Sequence, residues 1–406
     1  MKVSFSLPRH TKLVYFGRIG HGILRNYITE DDYVVYENPR ERLNLWVALR
    51  MLISGRRSES AYYRAFLRLY RPQVVITMED NNITFYATKT IHPSCKTIAV
   101  QNGVRNTMSH SADSSFRSDL QRMNREGYDA DVIVTQGGLG SLFYRSALPN
   151  TRVQLVEAGH VMNNALSAQS SNNVASRRRV VFISKYPNRG SSGDDSGWDS
   201  DVVLYIEKTP LTAARYYAIE SIVARVCAQV ASELSVPFVV LGKRPKWQVG
   251  EYNFFSKHLS GFDWEYSPSD NQASSYETVT ESDIIVNVDS TLGYELFSRG
   301  LRVVFAAARM RAAGQPHIVE YQFGYPLVAE DRGPYWTNEP TADEIRRVLT
   351  FALETSAEEW SRTTQPVRDL LFRFDPGNTL LCRVLDDAGV ANTGPRSWTR
   401  ELIPAN

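Results

Sequence analysis

The stretch that decides the fold is Glu281–Phe305, which reads ESDIIVNVDSTLGYELFSRGLRVVF. It starts with an apolar, β-branched run typical of a buried strand and passes through Asp289, Ser290 and Thr291 into a segment with helical spacing. Gly300 ends that helix, and a second apolar run, RVVF, follows. The pattern predicts a strand, a hydroxyl-bearing turn, a helix and another strand, which is the repeating unit of an α/β fold.

The turn in this unit has the composition of an anion site. Ser290 and Thr291 can donate hydroxyl hydrogens where the free amides and the dipole of a helix N-terminus add positive charge. Gly293 would let the backbone approach a ligand, and Glu295 could accept hydrogen bonds from ribose hydroxyls. The alternative interpretation is that Asp289 or Ser290 only caps the helix and that Glu295 only offsets its dipole.

Two more strand-like runs in the same half, Val180–Ser184 and Pro237–Leu241, end in cations. Lys185 follows the first run, and Lys243 and Arg244 follow the second. If these strands are parallel, their carboxyl ends share one sheet edge with the Ser290 turn. We therefore predict that all three cations help to bind a phosphate or an acidic sugar.

The N-terminal half shows the same pattern of a strand followed by a polar turn. Three short β-branched runs end in polar or Gly-rich turns, at Glu79–Asn82, Gln101–Arg105 and Gln136–Gly140. The candidate catalytic residues there are Asp80, which is preferred, and Glu79, as a general base or a nucleophile. The candidate sugar- or acceptor-binding residues are Asn81, Asn82, Gln101, Asn102 and Arg105. The alternatives are that Asp80 or Asn81 caps the next helix and that Gln101–Arg105 is an ordinary polar turn.

Further candidates lie beside the expected connector between the halves. His160 could act as an acid, a base or a phosphate partner, although a structural histidine is the favoured interpretation. Asn163 and Asn164 are candidates for binding sugar or acceptor hydroxyls. Asp199 and Asp201 match the DxD pattern of metal-dependent glycosyltransferases, but their Gly- and Ser-rich surroundings favour a solvated loop.

The C-terminal half resembles that of GT-B glycosyltransferases, and Ser290–Thr291 is similar to the element with which bacterial sialyltransferases hold the CMP phosphate. The chain also resembles a family of bacterial surface-polysaccharide transferases. The motifs that carry this resemblance occur in the same order at Asp80–Asn82, Gln101–Arg105, Asp289–Glu295, Phe323–Pro326 and Gly333–Asn338.

This resemblance implies an α/β protein with two Rossmann-like domains facing a cleft, the GT-B architecture. Residues 1–165 would form the acceptor and catalytic domain, and residues 166–179, rich in Ser, Asn and Arg, the connector. Residues 180–365 would bind the nucleotide sugar. Residues 366–406 would form a C-terminal helix and tail that could cross back to the first domain.

The activity implied is a metal-independent transfer of a Kdo- or nonulosonate-type acidic sugar from CMP to a surface polysaccharide, such as lipopolysaccharide or capsule. Arg105 or Arg244 would pair with the sugar carboxylate, and the Ser290 turn would stabilise the departing CMP. No cofactor is expected beyond the nucleotide sugar. The alternatives are a UDP- or GDP-sugar transferase, a non-catalytic glycan-binding component of a polysaccharide assembly complex, and an epimerase of the same shape.

The amino-acid composition restricts the classes of binding partner and the expected cellular location. The 46 Lys and Arg nearly balance the 44 Asp and Glu, which argues against nucleic acid as the main partner. No apolar stretch approaches the roughly 20 residues needed to cross a bilayer, so a cytoplasmic protein is expected. Residues 62–71 could touch the inner face of the membrane, with an ordinary amphipathic helix as the alternative. Cys95, Cys227 and Cys382 are far apart in sequence and are expected to be buried thiols.

Overall fold

The computed structural model describes residues 2–105, 112–166, 178–187, 197–270 and 274–396. Within them the chain divides into two compact units. The first unit contains the described residues up to Leu166 together with those from Asp375 onward. The second unit contains the described residues from Arg178 to Phe374.

The first unit is built on a parallel sheet. Its strands are β1 (Lys2–Ser4), β2 (Leu13–Phe16), β3 (Tyr33–Tyr36), β4 (Arg42–Asn44), β5 (Val74–Thr77), β6 (Lys96–Val100), β7 (Val132–Thr135) and β8 (Gln154–Glu157). Strands β1 and β4 form a separate parallel pair, and the other six are ordered β3-β2-β5-β6-β7-β8. The chain winds from β2 out to β3 and then returns to β5 on the other side of β2. The carboxyl ends of β2 and β5 therefore flank a topological switch point, where α/β sheets bind ligands.

Short helices surround this sheet. They are α1 (His21–Leu24), α2 (Leu45–Ile53), α3 (Glu59–Tyr70), α4 (Ile83–Tyr86), α5 (Thr88–Ile91), α6 (Ala112–Asn124), α7 (Gly138–Ala147) and α8 (Val161–Ala165). Helix α3 is capped by Ser58, whose hydroxyl oxygen accepts a hydrogen bond from the amide of Ala61, and it buries Tyr62, Phe66 and Tyr70 in the core. Residues 62–71 are thus mainly a core helix, as the ordinary amphipathic interpretation predicted.

The second unit has a larger sheet of the same type. Its strands are β9 (Val180–Ile183), β10 (Val202–Ile206), β11 (Thr209–Thr212), β12 (Phe238–Leu241), β13 (Glu265–Ser267), β14 (Ile284–Asn287), β15 (Arg302–Ala306), β16 (Arg332–Gly333) and β17 (Trp336–Thr337). Strands β10 and β11 form an antiparallel hairpin, and the others are ordered β13-β12-β9-β14-β15-β17-β16. All neighbours in this sheet are parallel except β16 and β17. The six parallel strands follow the Rossmann order, with the switch point between β9 and β14.

The helices of the second unit are α9 (Ala213–Glu233), α10 (Gly250–His258), α11 (Ser274–Thr278), α12 (Thr291–Ser298), α13 (Arg309–Ala312), α14 (Ala342–Glu354) and α15 (Ala357–Leu371). Short 3-10 turns occupy Val319–Tyr321 and Pro376–Asn378. The sequence Glu281–Phe305 forms β14, α12 and β15, with β14 and β15 parallel, as predicted. Two Rossmann-like parallel sheets confirm the predicted α/β class.

The last described helix, α16 (Thr379–Asp387), belongs to the first unit. The expected boundary after residue 365 falls inside α15, and the segment that packs in the first unit starts at Asp375 instead. Asn378 anchors this segment, because its amide nitrogen donates to Tyr27 Oη at 2.7 Å and its amide oxygen accepts from Asn164 Nδ2 at 2.9 Å. All three side chains are buried, so these hydrogen bonds are shielded from water.

We predict that Asn378→Ala lowers the free energy of unfolding by about 3 kcal/mol. Alanine leaves the buried partners of Asn378 unpaired, and it is strained at the left-handed backbone angle of this position, where φ is 60°. Urea unfolding followed by circular dichroism measures the change. Thr393→Ala, on an exposed side chain of the same segment, should change it by less than about 0.5 kcal/mol. Equal unfolding midpoints for the two variants would contradict the anchoring role.

Candidate active site

A cavity of about 340 Å³ in the second unit lies at the carboxyl ends of β9, β12 and β14, beside the switch point. The predicted nucleotide-binding residues that line it are Lys185, Lys243, Ser290, Thr291 and Glu295. Gly293 and Arg244 do not line this cavity. Residues that are up to 110 positions apart in sequence meet there because parallel strands bring their carboxyl ends to one edge.

The turn before α12 is held by a residue that the sequence does not single out. Asn287 Oδ1 accepts from the amide of Ser290 at 3.0 Å, and Asn287 Nδ2 donates to the carbonyl of Ser290 at 3.1 Å. Ser290 is the N-cap residue of α12, but its side chain makes no capping hydrogen bond. The interpretation of this serine as a side-chain cap of the helix is therefore wrong, and Ser290 lines the cavity beside Thr291.

Gly293 has a different role from the predicted close approach to a ligand. A Cβ atom at this position would lie 2.2 Å from the side-chain amide nitrogen of Asn287. The glycine thus makes room for the buried side chain that fixes the Ser290 turn. Its contribution to the cavity is indirect.

Four charged side chains form a network behind the turn. Arg309 pairs with both oxygens of Asp289, at 2.6 and 2.9 Å, and with Glu220 at 2.6 Å. Lys185 Nζ lies 3.2 Å from Asp289 Oδ1, and its backbone amide donates to Glu220 at 3.1 Å. Arg309 and Glu220 are buried, so each charge requires its partner.

The pKa shifts follow from these contacts. Burial alone would raise the pKa of Asp289, but the charges of Arg309 and Lys185 outweigh it and hold that pKa well below its usual range. Burial raises the pKa of Glu220, and only part of that effect is offset by Arg309. Two acidic and two basic side chains thus balance in charge, and Lys185 is kept at the cavity wall.

The turn after β12 is organised by Glu251, which is fully buried. Its carboxylate accepts hydrogen bonds from the amides of Lys243 and Arg244, at 3.0 and 2.9 Å, and from Tyr266 Oη at 2.8 Å. Ser184 also donates to it. Because its amide is already occupied, Lys243 can donate a hydrogen bond to a ligand only through its side chain.

The pKa of Lys243 indicates that positive charges cluster at this cavity. Its side chain is exposed at the cavity wall, yet loss of hydration and repulsion from Arg244 and Lys185 lower the pKa of its ammonium group. A bound anion would relieve that repulsion. The Arg244 guanidinium lies outside the cavity lining but contributes to this field.

Glu295 lies on the second turn of α12, one turn later than predicted, and reaches the cavity. The hydroxyl of Tyr276, which also lines the cavity, donates to its carboxylate. Burial and the charge of Glu295 raise the pKa of Tyr276 well above its usual value, so the phenol remains a donor. This pair presents polar oxygens to a ligand and suits ribose hydroxyls.

In the first unit, Glu79 occupies the switch point between β2 and β5. Its carboxylate lies against the loop after β2, where a Cβ on Gly17 would come within 2.0 Å of Glu79 Oε1. Gly17 has a φ of 83° and is followed by Arg18, Ile19 and a second positive-φ glycine, Gly20. Glu79 is only half-buried, in contrast to Asp80, and the two hydrogen bonds to its carboxylate are long, at 3.5 Å from the amide of Ile19 and 3.4 Å from Asn82 Nδ2. Glu79 was a predicted catalytic candidate, but the Gly-rich loop directly after β2 was not part of that prediction, although its glycines were a visible signal.

Asp80, the preferred catalytic candidate, is fully buried instead. Both of its carboxylate oxygens are bound by Arg105, at 2.6 Å each, and further hydrogen bonds come from the amide of Asn102 at 3.0 Å and from Tyr144 Oη at 2.5 Å. A general base must reach its proton, and this carboxylate is enclosed by donors. The pair also occupies Arg105, whose expected partner was a sugar carboxylate. Both residues hold the turns after β5 and β6 together.

Of the remaining amide side chains in these turns, some make structural hydrogen bonds and others are exposed at the surface. Asn82, not Asp80 or Asn81, caps α4, since its side-chain oxygen accepts from the amide of Thr84 at 3.1 Å. Gln101 is buried and bonds to the carbonyl of Gly103 and the amide of Gln136. Asn81 and Asn102 are exposed and Asn82 is half-buried, whereas Gln101 is enclosed.

The candidates His160, Asn163 and Asn164 follow β8 and are also separated from Glu79. His160 follows β8, the sheet edge, and three strand spacings of about 5 Å each separate β8 from β5. Asn163 is buried, and Asn164 is buried while donating to Asn378 and accepting from the amide of Asp375. The predicted sugar-binding role does not suit these two asparagines, because they pack in the core of the unit.

A larger cavity, of about 690 Å³, adjoins the carboxyl end of β3 in the first unit. Arg18, Arg42 and Glu37 supply its charges, with Glu37 lying 3.9 and 3.3 Å from the two guanidinium groups. Tyr36 and His21 also line it. Within the described residues, the buried Tyr36 hydroxyl and His21 Nε2 have no hydrogen-bond partner. Aromatic rings and charged groups in one pocket suit a polyhydroxylated ligand.

Three further predictions concern a metal site, a membrane-spanning helix and the cysteines. Asp199 is exposed and Asp201 half-exposed, neither lines the cavity beside Ser290, and positions 188–196 of their loop lie outside the described residues. Among the residues described, no group of three His, Cys, Asp or Glu is placed to hold a metal ion. Metal independence stays a prediction. In the same part of the chain, no helix is both long and apolar enough to span a bilayer. Cys95, Cys227 and Cys382 are buried thiols, as expected.

Two Rossmann-like parallel sheets, each with polar groups at its switch point, define the GT-B class of α/β proteins. Within this class, the chain belongs to the family described as "putative O-antigen biosynthesis protein", whose model matches residues 98–388. Among curated proteins, no sequence matches that of the chain.

Solved structures extend the likeness in fold. The wall teichoic acid polymerase TagF shares 10% identity, with coverage of 93% of this chain and 89% of its own and a TM-score of 0.51. The UDP-GlcNAc 2-epimerase from Methanocaldococcus jannaschii shares 10% identity, with coverage of 95% and 100% and a TM-score of 0.51. MnaA from S. aureus, solved with UDP, shares 10% identity, with coverage of 97% and 100% and a TM-score of 0.50. At such low identity the likeness concerns the fold.

We predict that Arg309→Met destabilises the second unit by about 4 kcal/mol at neutral pH, because it leaves two carboxylates without their shared cation. In the variant, Asp289 and Glu220 should have raised pKa values and bind protons in the folded state. A carboxyl whose folded pKa is raised favours folding as the pH falls, so the deficit should be smaller at pH 5 than at pH 8.

Urea unfolding at both pH values tests this expectation. Arg362→Met is the control, because that guanidinium is largely exposed and its carboxylate partner is 4.0 Å away. It should change stability by less than about 0.5 kcal/mol at either pH. A pH-independent deficit for Arg309→Met would refute the coupled network.

Proposed function

We propose that this chain is a glycosyltransferase of O-antigen assembly that binds the nucleotide part of a sugar donor in the cavity beside Ser290. The observation that carries the proposal is the position of Ser290 at the amino end of α12, where its hydroxyl makes no capping hydrogen bond. Ser290 lines one cavity with Lys185, at the switch point of a sheet with the Rossmann strand order. Helix N-termini at such points are anion sites.

In this proposal the donor phosphates meet the hydroxyls of Ser290 and Thr291, the first amides of α12 and the ammonium of Lys185. As the sugar leaves, negative charge grows on the phosphate oxygen, and these fixed positive groups stabilise it. Arg309 neutralises Asp289, which would otherwise repel the phosphate. Glu295 and Tyr276 receive the ribose hydroxyls.

The cavity fits a nucleoside diphosphate sugar better than the CMP-linked acidic sugar first expected. Arg105, one of the two arginines expected to bind the sugar carboxylate, is held by Asp80. Arg244, the other, does not line the cavity. Lys185, Lys243 and the helix terminus together match the two charges of a pyrophosphate. UDP- and GDP-sugars are therefore the donors that we propose.

The acceptor, a glycan or a lipid-linked glycan, would bind to the first unit, with Glu79 as the general base. This half-buried carboxylate follows β5 at the switch point, and the 690 Å³ cavity near it offers aromatic and charged groups to sugar rings. Transfer is favoured over epimerisation because Asp289 and Glu295, the acidic side chains lining the donor cavity, are both engaged by neighbouring side chains. Among the described residues, no histidine lines that cavity.

We expect UDP or GDP to raise the thermal unfolding midpoint and CMP to have little effect, because a ligand stabilises the folded state more strongly the tighter it binds at a given concentration. Ser290→Ala and Lys185→Met should each weaken nucleotide binding about ten-fold or more. Calorimetric titration measures the affinities. Lys246→Met, an exposed lysine outside the cavity, should bind normally. If CMP alone binds tightly, the diphosphate proposal fails; if no nucleotide binds, the transferase proposal fails.

Glu79→Gln should reduce sugar transfer by about 100-fold or more, because the amide cannot accept the acceptor proton. Its thermal midpoint and nucleotide affinity should stay unchanged. The assay follows labelled sugar moving from the donor to lipid-linked glycan extracted from O-antigen-producing cells. Asp80→Asn should instead lower the unfolding midpoint, because it breaks a buried ion pair. Full transfer by Glu79→Gln would exclude Glu79 as the base.

A further inference from the structure

Helix α2 presents an apolar face to solvent. Its exposed side chains are Leu45, Trp46, Leu49, Leu52 and Ile53, of which Ile53 is 70% exposed. Their spacing places them on one side of the helix, while Val47 and Ala48 on the other side are buried. A helix normally turns its apolar stripe to the core, so this orientation is unusual for a helix that is fully solvated.

The N-terminal segment extends this apolar surface. Phe5 and Leu7 are exposed by 70% and 72%. The indole nitrogen of Trp46 donates to the carbonyl of Phe5 at 3.1 Å, and Asn44 Nδ2 donates to the carbonyl of Ser6 at 2.9 Å. These bonds hold the segment beside the start of α2. The exposed residues therefore form one patch, which we call the α2 patch.

A pocket of arginines adjoins the α2 patch. Its volume is about 420 Å³, and Arg50, Arg56, Arg64 and Arg68 line it together with Ile53 of the patch. No acidic side chain among the described residues lines this pocket. Four guanidinium groups without a lining carboxylate form a strongly positive site, suited to phosphate groups.

We propose that the α2 patch and its arginine pocket dock the protein on the surface of an anionic phospholipid bilayer. The apolar side chains would enter the boundary between headgroups and acyl chains, and the arginines would bind lipid phosphates. Trp46 suits this boundary because its ring is apolar and its N–H is polar. The pairing of apolar and cationic surface matches an anionic membrane. Of the membrane contact predicted at residues 62–71, this surface includes Arg64 and Arg68, whereas the aromatic side chains of that stretch pack in the core.

A second copy of the chain is a poorer occupant. A two-fold contact through the α2 patch would bring the same surface of each copy together, and the arginine pockets of both copies with it. Like charges then oppose each other across the contact, which disfavours association. The proposal does not depend on nucleotide binding, so its failure and that of the transferase function can be distinguished.

The test is co-sedimentation of the full chain with vesicles. We expect binding to vesicles of phosphatidylglycerol and phosphatidylethanolamine, much weaker binding to phosphatidylcholine alone, and loss of binding at high salt. Leu49→Glu combined with Ile53→Glu should weaken binding at least about ten-fold, because charged side chains replace the inserted apolar ones. Arg56→Ser combined with Arg68→Ser should weaken it by about 25-fold, at about five-fold per arginine.

Leu234→Glu combined with Val249→Glu is the matched control, since both side chains are exposed apolar residues outside the α2 patch. It should bind vesicles as the wild type does. Sedimentation velocity without lipid measures the oligomeric state of the wild type and of each variant. Vesicle binding that both patch variants retain would overturn the proposal. So would a wild-type dimer that Leu49→Glu and Ile53→Glu dissociate.

Discussion

The candidate donor site depends on the ion network of Arg309, Asp289, Glu220 and Lys185. Its members come from the turns after β9 and β14 and from α9 and α13, so the network joins four elements behind one cavity. Each buried charge is matched by a partner, and removing one would leave another unpaired at a large cost in free energy. The network thereby places Lys185 at the cavity wall and neutralises the acidic residue nearest to Ser290.

Both units gather polar groups at the switch point of a parallel sheet, but the groups gathered differ. In the second unit the switch point lies between β9 and β14, and it collects hydroxyls, a helix terminus and lysines. In the first unit it lies between β2 and β5, and it presents the carboxylate of Glu79 over a glycine-rich loop. A cationic site suits a phosphate donor, and an accessible carboxylate suits proton removal from an acceptor. The proposed transferase function assigns the donor to the first of these sites and the acceptor to the second.

Buried partners also explain why several candidates act indirectly. Asn287 fixes the Ser290 turn, Glu251 fixes the Lys243 turn, and the Asp80–Arg105 pair fixes the turns after β5 and β6. Such groups are polar yet enclosed, and their hydrogen bonds hold accessible neighbours in place. Polar side chains at strand ends are thus of two kinds: enclosed ones that hold a turn in place, and accessible ones that could meet a ligand. Their burial in the structure distinguishes the two.

The sequence by itself determined the α/β class, the strand–turn–helix unit around Ser290 and the strand ends where polar residues would gather. These features depend on local periodicity and on the parallel strands that such units form. Only the tertiary structure decided that Asp80 is enclosed while Glu79 is accessible, that Gly293 makes room for Asn287, and that α2 turns its apolar face outward. These outcomes depend on which distant side chains pack against each residue, and neither spacing nor composition specifies those contacts.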